Sequence, residues 1–198
     1  MIDYYFTPIS PWTYLGHERF ARIAGAAGAP VSVLPVDLGG QVFPVSGGLP
    51  LAKRAPQRQA YRLVELARFS ALHEIVLNLH PRFFPVPADD AARLIVAVSV
   101  HDGDAAAMAL TGALGRAVWA EERNIADPTE LADVLGALGL RPERLADSQT
   151  PEVHARYQAN TERAINAGVF GAPSYVIDGE VFWGQDRLDF VQRRLARA

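Results

Sequence analysis

The chain has 198 residues, of which 49% are hydrophobic and 21% are charged, and its formal net charge is −3. These values are typical of one compact domain, or of a small domain with an insertion, and they exclude a disordered chain. The near-neutral charge argues against nucleic acid as the main partner. No apolar run is long enough to span a membrane, and no signal peptide is expected, because the first residues open directly into a strand-like segment.

The sequence contains no cysteine. This excludes a disulfide framework, a thiolate zinc site, a cysteine-ligated iron–sulfur cluster and a dithiol oxidoreductase. Any thiol chemistry therefore needs a thiol from a separate molecule. The five histidines lack metal-ligand spacing, so no metal is expected, and no nucleotide-binding glycine motif is present. The histidines are His17, His73, His80, His101 and His154.

The first 37 residues predict a strand, a helix and a second strand. Residues 2–6 are aromatic and apolar, and Ser10 followed by Pro11 is typical of a helix N-cap with proline at the first helical position. We expect this helix to end near Ala27, before a β-branched strand over residues 31–36. A βαβ unit indicates an α/β fold.

The middle of the chain is predicted to be helical. Residues 39–56 are rich in glycine and proline and predict a loop, whereas nearly every periodic stretch from 57 to about 165 has helical spacing. Four helix starts carry candidate capping side chains: Asp89 or Asp90, Asp104, Asp127 and Thr150.

The C-terminal part predicts a hairpin and a last helix. Asp178-Gly179 favours a primed two-residue turn between strands at 174–177 and 180–183. The order βαβ, helices, ββα predicts an α/β, thioredoxin-like fold interrupted by an all-helical insertion. We expect residues 1–40 and 166–198 to form the thioredoxin-like domain and residues 41–165 the inserted domain. The ligand surface would lie where the first helix begins, beside the loop before the hairpin.

Ser10 is the first candidate for chemistry. Its oxygen lies at a helix N-terminus, beside unpaired backbone N–H groups and the positive end of the dipole, and this environment favours an anion such as a bound thiolate. The alternative is that Ser10 only caps the helix, as Asp127 and Thr150 are predicted to do. Its position after the first strand, where a thioredoxin-like protein carries C-x-x-C, favours the functional interpretation.

Two later segments are further candidates. Pro173 could close a turn in cis and leave the backbone N–H and C=O of Ala172 free for an extended ligand, or it could be an ordinary trans proline. The segment from Trp183 through Gly184 and Gln185 to Asp186 could hold an ammonium or carboxylate group of a small ligand, although Asp186 could equally be a helix cap.

Three arginines follow helical spacing. Arg54, Arg58 and Arg62 are four residues apart and would share one helix face, with Lys53 and Tyr61 nearby. Such a face could bind a substrate carboxylate, because a guanidinium matches that group. The alternative is a solvated face, and we favour it for Arg62.

At this point the sequence resembles the 2-hydroxychromene-2-carboxylate isomerase family, which is related to kappa-class glutathione transferases and DsbA-like proteins. The resemblance depends mainly on S-P-W-T-Y-L at residues 10–15, Y-x-x-x-E-L-x-R-F at 61–69, P-R-F-F-P at 81–85, G-V-F-G-A-P-S at 168–174 and F-W-G-Q-D-R-L at 182–188. The last two stretches together are specific to the family, and S-P-W-T-Y-L is moderately so.

The resemblance implies a cytoplasmic, glutathione-dependent isomerase, usually a homodimer. It implies that Ser10 holds the glutathione thiolate and that Ala172 and Pro173 contact the cysteinyl unit. Trp183, Gly184, Gln185 and Asp186 would contact the γ-glutamyl end. The substrate would be 2-hydroxychromene-2-carboxylate or a related aromatic carboxylate, converted to trans-o-hydroxybenzylidenepyruvate by reversible thiolate addition. The expected substrate-binding residues are Trp12, Lys53, Arg54, Arg58, Tyr61 and Phe83.

The sequence also departs from the family pattern. Gly48 stands where relatives have asparagine in G-N-x-P, and Arg58 stands where they have lysine in K-x-x-Y. Two other functions therefore stay open: a kappa-like transferase or peroxidase that consumes glutathione, and a non-catalytic binding module in which Ser10 is only a cap.

Overall fold

The computed structural model describes residues 1–197. Strand β1 (Ile2–Phe6) and helix α1 (Pro11–Ala26) are followed by strand β2 (Val31–Pro35). The two strands pair in parallel, from Ile2 opposite Val31 to Phe6 opposite Pro35. The βαβ unit predicted from the sequence is therefore confirmed.

The predicted loop over residues 39–56 contains helical turns, and residues 47–50 between them are not helical. A π-helical turn (Leu38–Val42) leads into the short helix α2 (Phe43–Ser46), and a 3₁₀ turn (Leu51–Lys53) follows. The first turn is stabilised by the carboxylate of Asp37, which accepts the backbone N–H of Gly40 at 2.7 Å. Glycine and proline density alone does not reveal this local cap.

Six helices form the rest of the central block. They are α3 (Pro56–His73), α4 (Asp89–Asp102), α5 (Asp104–Trp119), α6 (Pro128–Ala137), α7 (Arg144–Asp147) and α8 (Pro151–Asn166). Among residues 1–197, no helix is both long and apolar enough to cross a lipid bilayer.

Two of the four predicted caps are confirmed and two are wrong. The side chains of Asp127 and Thr150 accept backbone N–H groups at 2.8 and 3.4 Å, from Thr129 and Val153. The α4 and α5 caps are instead Ala88 and Gly103, which make no capping side-chain bond.

The aspartates expected to cap α4 and α5 lie in the first helical turns and bind elsewhere. Asp89 accepts the Tyr157 hydroxyl at 2.9 Å, Asp90 pairs with Arg93, and Asp104 accepts the Ser99 hydroxyl at 2.6 Å. These tertiary bonds compete with capping, and the sequence pattern does not show them.

The chain returns to the sheet through β3 (Ser174–Ile177) and β4 (Glu180–Trp183), then continues through a 3₁₀ turn (Gln185–Arg187) into α9 (Leu188–Leu195). Asp178 and Gly179 have φ values of 50° and 82°, as the predicted primed turn requires. The strand order is β2-β1-β3-β4, with β3 antiparallel to both of its neighbours. This is the predicted α/β, thioredoxin-like order with helices inserted between β2 and β3.

The main core joins the sheet to the inserted helices. Tyr4 of β1, Phe20 of α1 and Tyr175 of β3 pack together, and the same buried cluster includes Leu114 and Trp119 of α5. The two parts of the fold therefore share one core rather than having separate ones.

Helix α8 packs on the sheet. A smaller buried cluster joins Ala164 of α8 to Tyr5, Leu34 and Val176 of the strands. The Thr161 hydroxyl also accepts the backbone N–H of Asp37, just after β2, at 3.0 Å. The division at residues 40 and 166 stays a proposal, and these contacts favour placing α8 with the thioredoxin-like part.

Candidate active site

Three segments meet at one end of the sheet. Ser174, at the start of β3, lies opposite Tyr5 near the end of β1 and opposite Trp183 at the end of β4. The loop before α1, the loop before β3 and the turn after β4 are thereby brought together. The backbone N–H of Gly184 donates to the carbonyl of Pro173 at 2.8 Å, which joins two of them directly.

Ser10 is the N-cap of α1. Its Oγ accepts the backbone N–H of Thr13 at 3.2 Å, and within residues 1–197 its own hydroxyl proton has no acceptor. The side chain is buried but retains a little exposed surface, 8% for the residue. The Thr13 hydroxyl, in the same helical turn, is also buried and unpartnered. The free hydroxyl proton of Ser10, beside the positive end of a helix dipole, fits an anionic ligand atom, whereas the Thr13 hydroxyl is fully enclosed.

Ala172 offers backbone groups for an extended ligand. The Ala172–Pro173 peptide bond is cis, and no other residue in the described chain hydrogen bonds to the N–H or C=O of Ala172. The loop is held from the other side, because the Ser174 hydroxyl donates to the Gly171 carbonyl at 2.8 Å. The indole of Trp183 packs so closely on Gly171 that a Cβ there would overlap it.

Gln185 and Asp186 differ in exposure. Gln185 is only 2% exposed, and its Oε1 lies 3.1 Å from Nε2 of His73 on α3. Its side chain is therefore engaged within the fold, and its contact with a ligand stays a prediction. Asp186 is exposed and does not cap the following turn; its carboxylate pairs with Arg187 at 2.5 Å.

Helix α3 covers the start of α1. The ring of Phe69 contacts Trp12 edge-on with 6.1 Å between centroids, and it stacks on His73 at 5.9 Å. Trp12, His73 and Gln185 are thus joined through one helix of the insertion. Phe69 and His73 were missed from the sequence, although their spacing of four residues placed them on one helix face.

The predicted arginine face is partly wrong. Helix α3 begins at Pro56, so Arg54 precedes it and does not share its face; its Nε donates to the Leu49 carbonyl at 2.8 Å. Arg58, with Lys53 and Tyr61, is exposed to solvent as a substrate-binding role would allow.

Arg62 is not on a solvated face. Its guanidinium carbon lies 5.2 Å from the ring centroid of Phe84 and 5.7 Å from that of Trp119. Burial, with a smaller contribution from Arg54, lowers the pKa of Arg62 to about 10. The spacing of arginines correctly placed Arg58 and Arg62 on one helix, but it did not reveal the aromatic rings that cover part of Arg62.

The segment after α3 brings two phenylalanines to this region. The ring of Phe83 is partly buried, with the Arg82 guanidinium 5.1 Å from its centroid. Phe84 packs on Trp119 at 4.7 Å, and the Trp119 indole N–H donates to the Ile9 carbonyl at 3.3 Å. Phe84 and Trp119 therefore lie next to the loop that carries Ser10.

The site is organised around anion-binding groups. Nowhere in residues 1–197 do three His, Asp or Glu side chains converge as metal ligands would. What the geometry offers is a hydroxyl donor at a helix N-terminus, an unpaired backbone edge at Ala172 and guanidinium groups beside aromatic rings.

The strand order β2-β1-β3-β4, with helices inserted between β2 and β3, defines the class of thioredoxin-like proteins. The DsbA-like thioredoxin domain model matches residues 1–196, and the chain belongs to that family. It is an enzyme related to 2-hydroxychromene-2-carboxylate isomerase, as the sequence motifs predicted. The protein of that name from Sphingobium xenophagum is 27% identical, with 98% of this chain and 97% of the relative covered.

A solved structure and a second group of relatives agree with this placement. A selenomethionine structure of 2-hydroxychromene-2-carboxylate isomerase superposes with a TM-score of 0.83 at 25% identity, covering 99% of this chain and 94% of the other. Glutathione S-transferase kappa 1 from Caenorhabditis elegans is 25% identical, with 96% and 88% covered. The thioredoxin-like prediction is confirmed.

Proposed function

We propose that the protein is a glutathione-dependent isomerase that interconverts 2-hydroxychromene-2-carboxylate and trans-o-hydroxybenzylidenepyruvate, or acts on a closely related substrate. The proposal rests mainly on one observation. The oxygen of the Ser10 hydroxyl caps α1, and the hydroxyl proton remains available to a ligand. The names of the relatives support the substrate class, and the absence of cysteine means that the thiol must come from a separate molecule.

The residues present fit glutathione. Ser10 would donate a hydrogen bond to the sulfur and, with the α1 dipole, favour its thiolate form. The free N–H and C=O of Ala172, beside Pro173, would pair with the cysteinyl backbone, and Trp183, Gly184, Gln185 and Asp186 would meet the γ-glutamyl end. When bound, glutathione would supply a thiolate that adds reversibly to the conjugated double bond, so that this bond rotates and the thiol is returned unchanged.

The aromatic substrate would lie between the site of Ser10 and α3. Trp12, Tyr61 and Phe83 would contact its ring, and Lys53, Arg54 or Arg58 would face its carboxylate. Gly48, in place of the family asparagine, packs so tightly under Phe43 that a larger side chain requires movement of that ring. Any contact that the asparagine makes in relatives must therefore come from another residue.

The test is the variant Ser10→Ala. Loss of one hydrogen bond to a charged sulfur predicts a turnover lower by about ten- to hundredfold and weaker glutathione binding. Turnover is measured with saturating substrate, and glutathione affinity by calorimetry. Full activity with unchanged affinity would show that Ser10 is only a cap.

The matched control is Thr150→Ala. Thr150 caps α8 and is followed by Pro151, as Ser10 caps α1 and is followed by Pro11, but it lies away from the three converging segments. Each variant loses a cap, which costs about 0.5–2 kcal/mol of stability. Only Ser10→Ala should lose activity.

The kappa transferases favour a second candidate, a transferase or peroxidase that consumes glutathione. Measuring glutathione against product during many turnovers separates the two, because an isomerase leaves its concentration constant. A chain that binds no glutathione at millimolar concentration would instead be a binding module. We also propose a cytoplasmic location, where glutathione is reduced, and a homodimer, to be checked by light scattering.

A further inference from the structure

Arg62 is a charged side chain placed in aromatic surroundings. It points from α3 towards Phe84 and Trp119, and its Nη2 atom is buried without a hydrogen-bond partner. Across residues 1–197, no carboxylate lies within 4.0 Å of its guanidinium nitrogens. A partly buried cation without a partner is costly, so proteins seldom keep one unless something else binds it.

The surrounding charge increases this cost. The charged group that acts on Arg62 is Arg54, which is also positive and lowers the pKa of Arg62 further. The Nε–H of Arg54 donates to the Leu49 carbonyl and not to a carboxylate. Arg62 and Arg54 therefore give this region an excess of positive charge, which a bound anion would neutralise.

Arg62 lies near the proposed thiol site. Trp119, against which Arg62 packs, donates its indole N–H to the carbonyl of Ile9, the residue before Ser10. Trp119 is fully buried, whereas Phe84 and Arg62 are partly exposed, so a planar ligand would contact these two side chains beside the loop that carries Ser10. A guanidinium presents parallel N–H donors that match the two oxygens of a carboxylate.

We infer that Arg62, held in place by packing on Phe84 and Trp119, binds the carboxylate of a conjugated or aromatic acid and is the specificity-determining residue for the substrate. This inference deepens the proposed function and rests on it for the identity of the substrate. It assigns to Arg62 the contact that the sequence pattern would give to Lys53, Arg54 or Arg58.

The test compares trans-cinnamate with trans-cinnamamide, which has no charge. Calorimetry is run on the full chain, its Arg62→Gln variant and the control Arg68→Gln, an exposed arginine on the same helix that pairs with Glu65. The wild type and Arg68→Gln should prefer cinnamate. Arg62→Gln should lose that preference, with a cinnamate Kd higher by about tenfold or more, and should keep its glutathione Kd.

Kinetics and folding give independent readouts. For 2-hydroxychromene-2-carboxylate, Arg62→Gln should raise KM more than it lowers kcat, and Arg62→Lys should fall between it and the wild type. Because Arg62→Gln loses the packing of the guanidinium on Phe84 and Trp119, the Tm of both variants is measured and binding is compared at a temperature where both are folded. An Arg62→Gln protein that is folded and still prefers cinnamate would overturn the inference.

The inference and the proposed function can fail separately. Loss of cinnamate preference in Arg62→Gln, in a protein without glutathione-dependent turnover, supports Arg62 as a carboxylate site and rejects the isomerase. Normal turnover with an unchanged KM in Arg62→Gln rejects the inference and leaves the isomerase intact. A wild type that does not distinguish cinnamate from cinnamamide also overturns the inference.

Discussion

Ser10 shows how one hydroxyl can serve structure and chemistry together. Its oxygen accepts the Thr13 N–H while its proton stays available. An aspartate cap such as Asp127 offers no proton to a bound anion and would repel it. Among cap residues, serine and threonine therefore suit a thiolate site, and the position of Ser10 after β1 distinguishes it from Thr150.

His17 lies two turns further along α1 and is held neutral. It is 5% exposed; Nε2 lies 2.9 Å from the Met108 carbonyl, and Nδ1 lies 3.2 Å from the Tyr4 hydroxyl. A carbonyl only accepts, so Nε2 carries the proton and Nδ1 accepts from Tyr4. Burial lowers the pKa of His17 below its ordinary 6.5.

This predicts a pH-dependent stability. Below pH 6.5 the unfolded chain binds a proton at His17 that the folded chain does not, so the free energy of unfolding falls as the pH drops from 6.5 towards the lowered pKa. Urea unfolding at several pH values should show this slope, and His17→Asn should flatten it. An unchanged slope would contradict the prediction.

The titration of Asp102 does not contribute to the change in stability just below pH 6.5. A hydrogen bond from Arg144 lowers the pKa of its carboxyl below the ordinary 3.8, so its contribution is lost only at more acidic pH.

At the scale of elements, helix α1 and the turn that carries Gln185 are in close contact at Gly16. A Cβ added to Gly16 would lie 2.6 Å from the Gln185 Cβ and 3.2 Å from the Tyr175 hydroxyl. Gly16→Ala should therefore displace the Gln185 turn, weaken glutathione binding and cost about 1–3 kcal/mol of stability. Urea unfolding and calorimetry with glutathione measure the two effects.

Gly25 provides the comparison on the same helix. No atom lies within 4 Å of a Cβ placed there, so Gly25→Ala should stabilise α1 by about 0.5–1 kcal/mol. Its glutathione affinity should equal that of the wild type. Equal behaviour of the two alanine variants would show that the contact of α1 with Gln185 is not important for binding.

The sequence predicted the elements whose signals are local. The Asp178-Gly179 turn, the caps at Asp127 and Thr150, and the βαβ start depend on residues within a few positions of one another. Asp104 was misassigned because its partner, Ser99, lies on the preceding helix.

Arg62 was misassigned for a related reason. Helical spacing establishes that residues share a face, but the neighbours of that face come from distant segments, here Phe84 and Trp119. Likewise, the contact of His73 with Gln185 is not visible in the sequence, because the two residues lie 112 positions apart.

At the scale of the molecule, the shared core predicts one cooperative unfolding transition. Leu114 of the insertion belongs to the same cluster as Tyr4 and Phe20 of the thioredoxin-like part. Leu114→Ala should cost about 2–5 kcal/mol, because it leaves a cavity in this core. Circular dichroism and tryptophan fluorescence, which includes the buried Trp119, should shift together. Two separated transitions would show that the insertion folds independently.

Helix α3 contacts both ends of the candidate site. At one end His73 lies against Gln185, and at the other Arg62 packs on Trp119. Any ligand that moves α3 as a body at one end changes the environment of the other. Thermodynamic linkage then requires that glutathione alter the affinity for the acid by the same factor by which the acid alters the affinity for glutathione. Helix α3 would thus couple the two affinities, so that a change on α3 that alters one of them also alters the other.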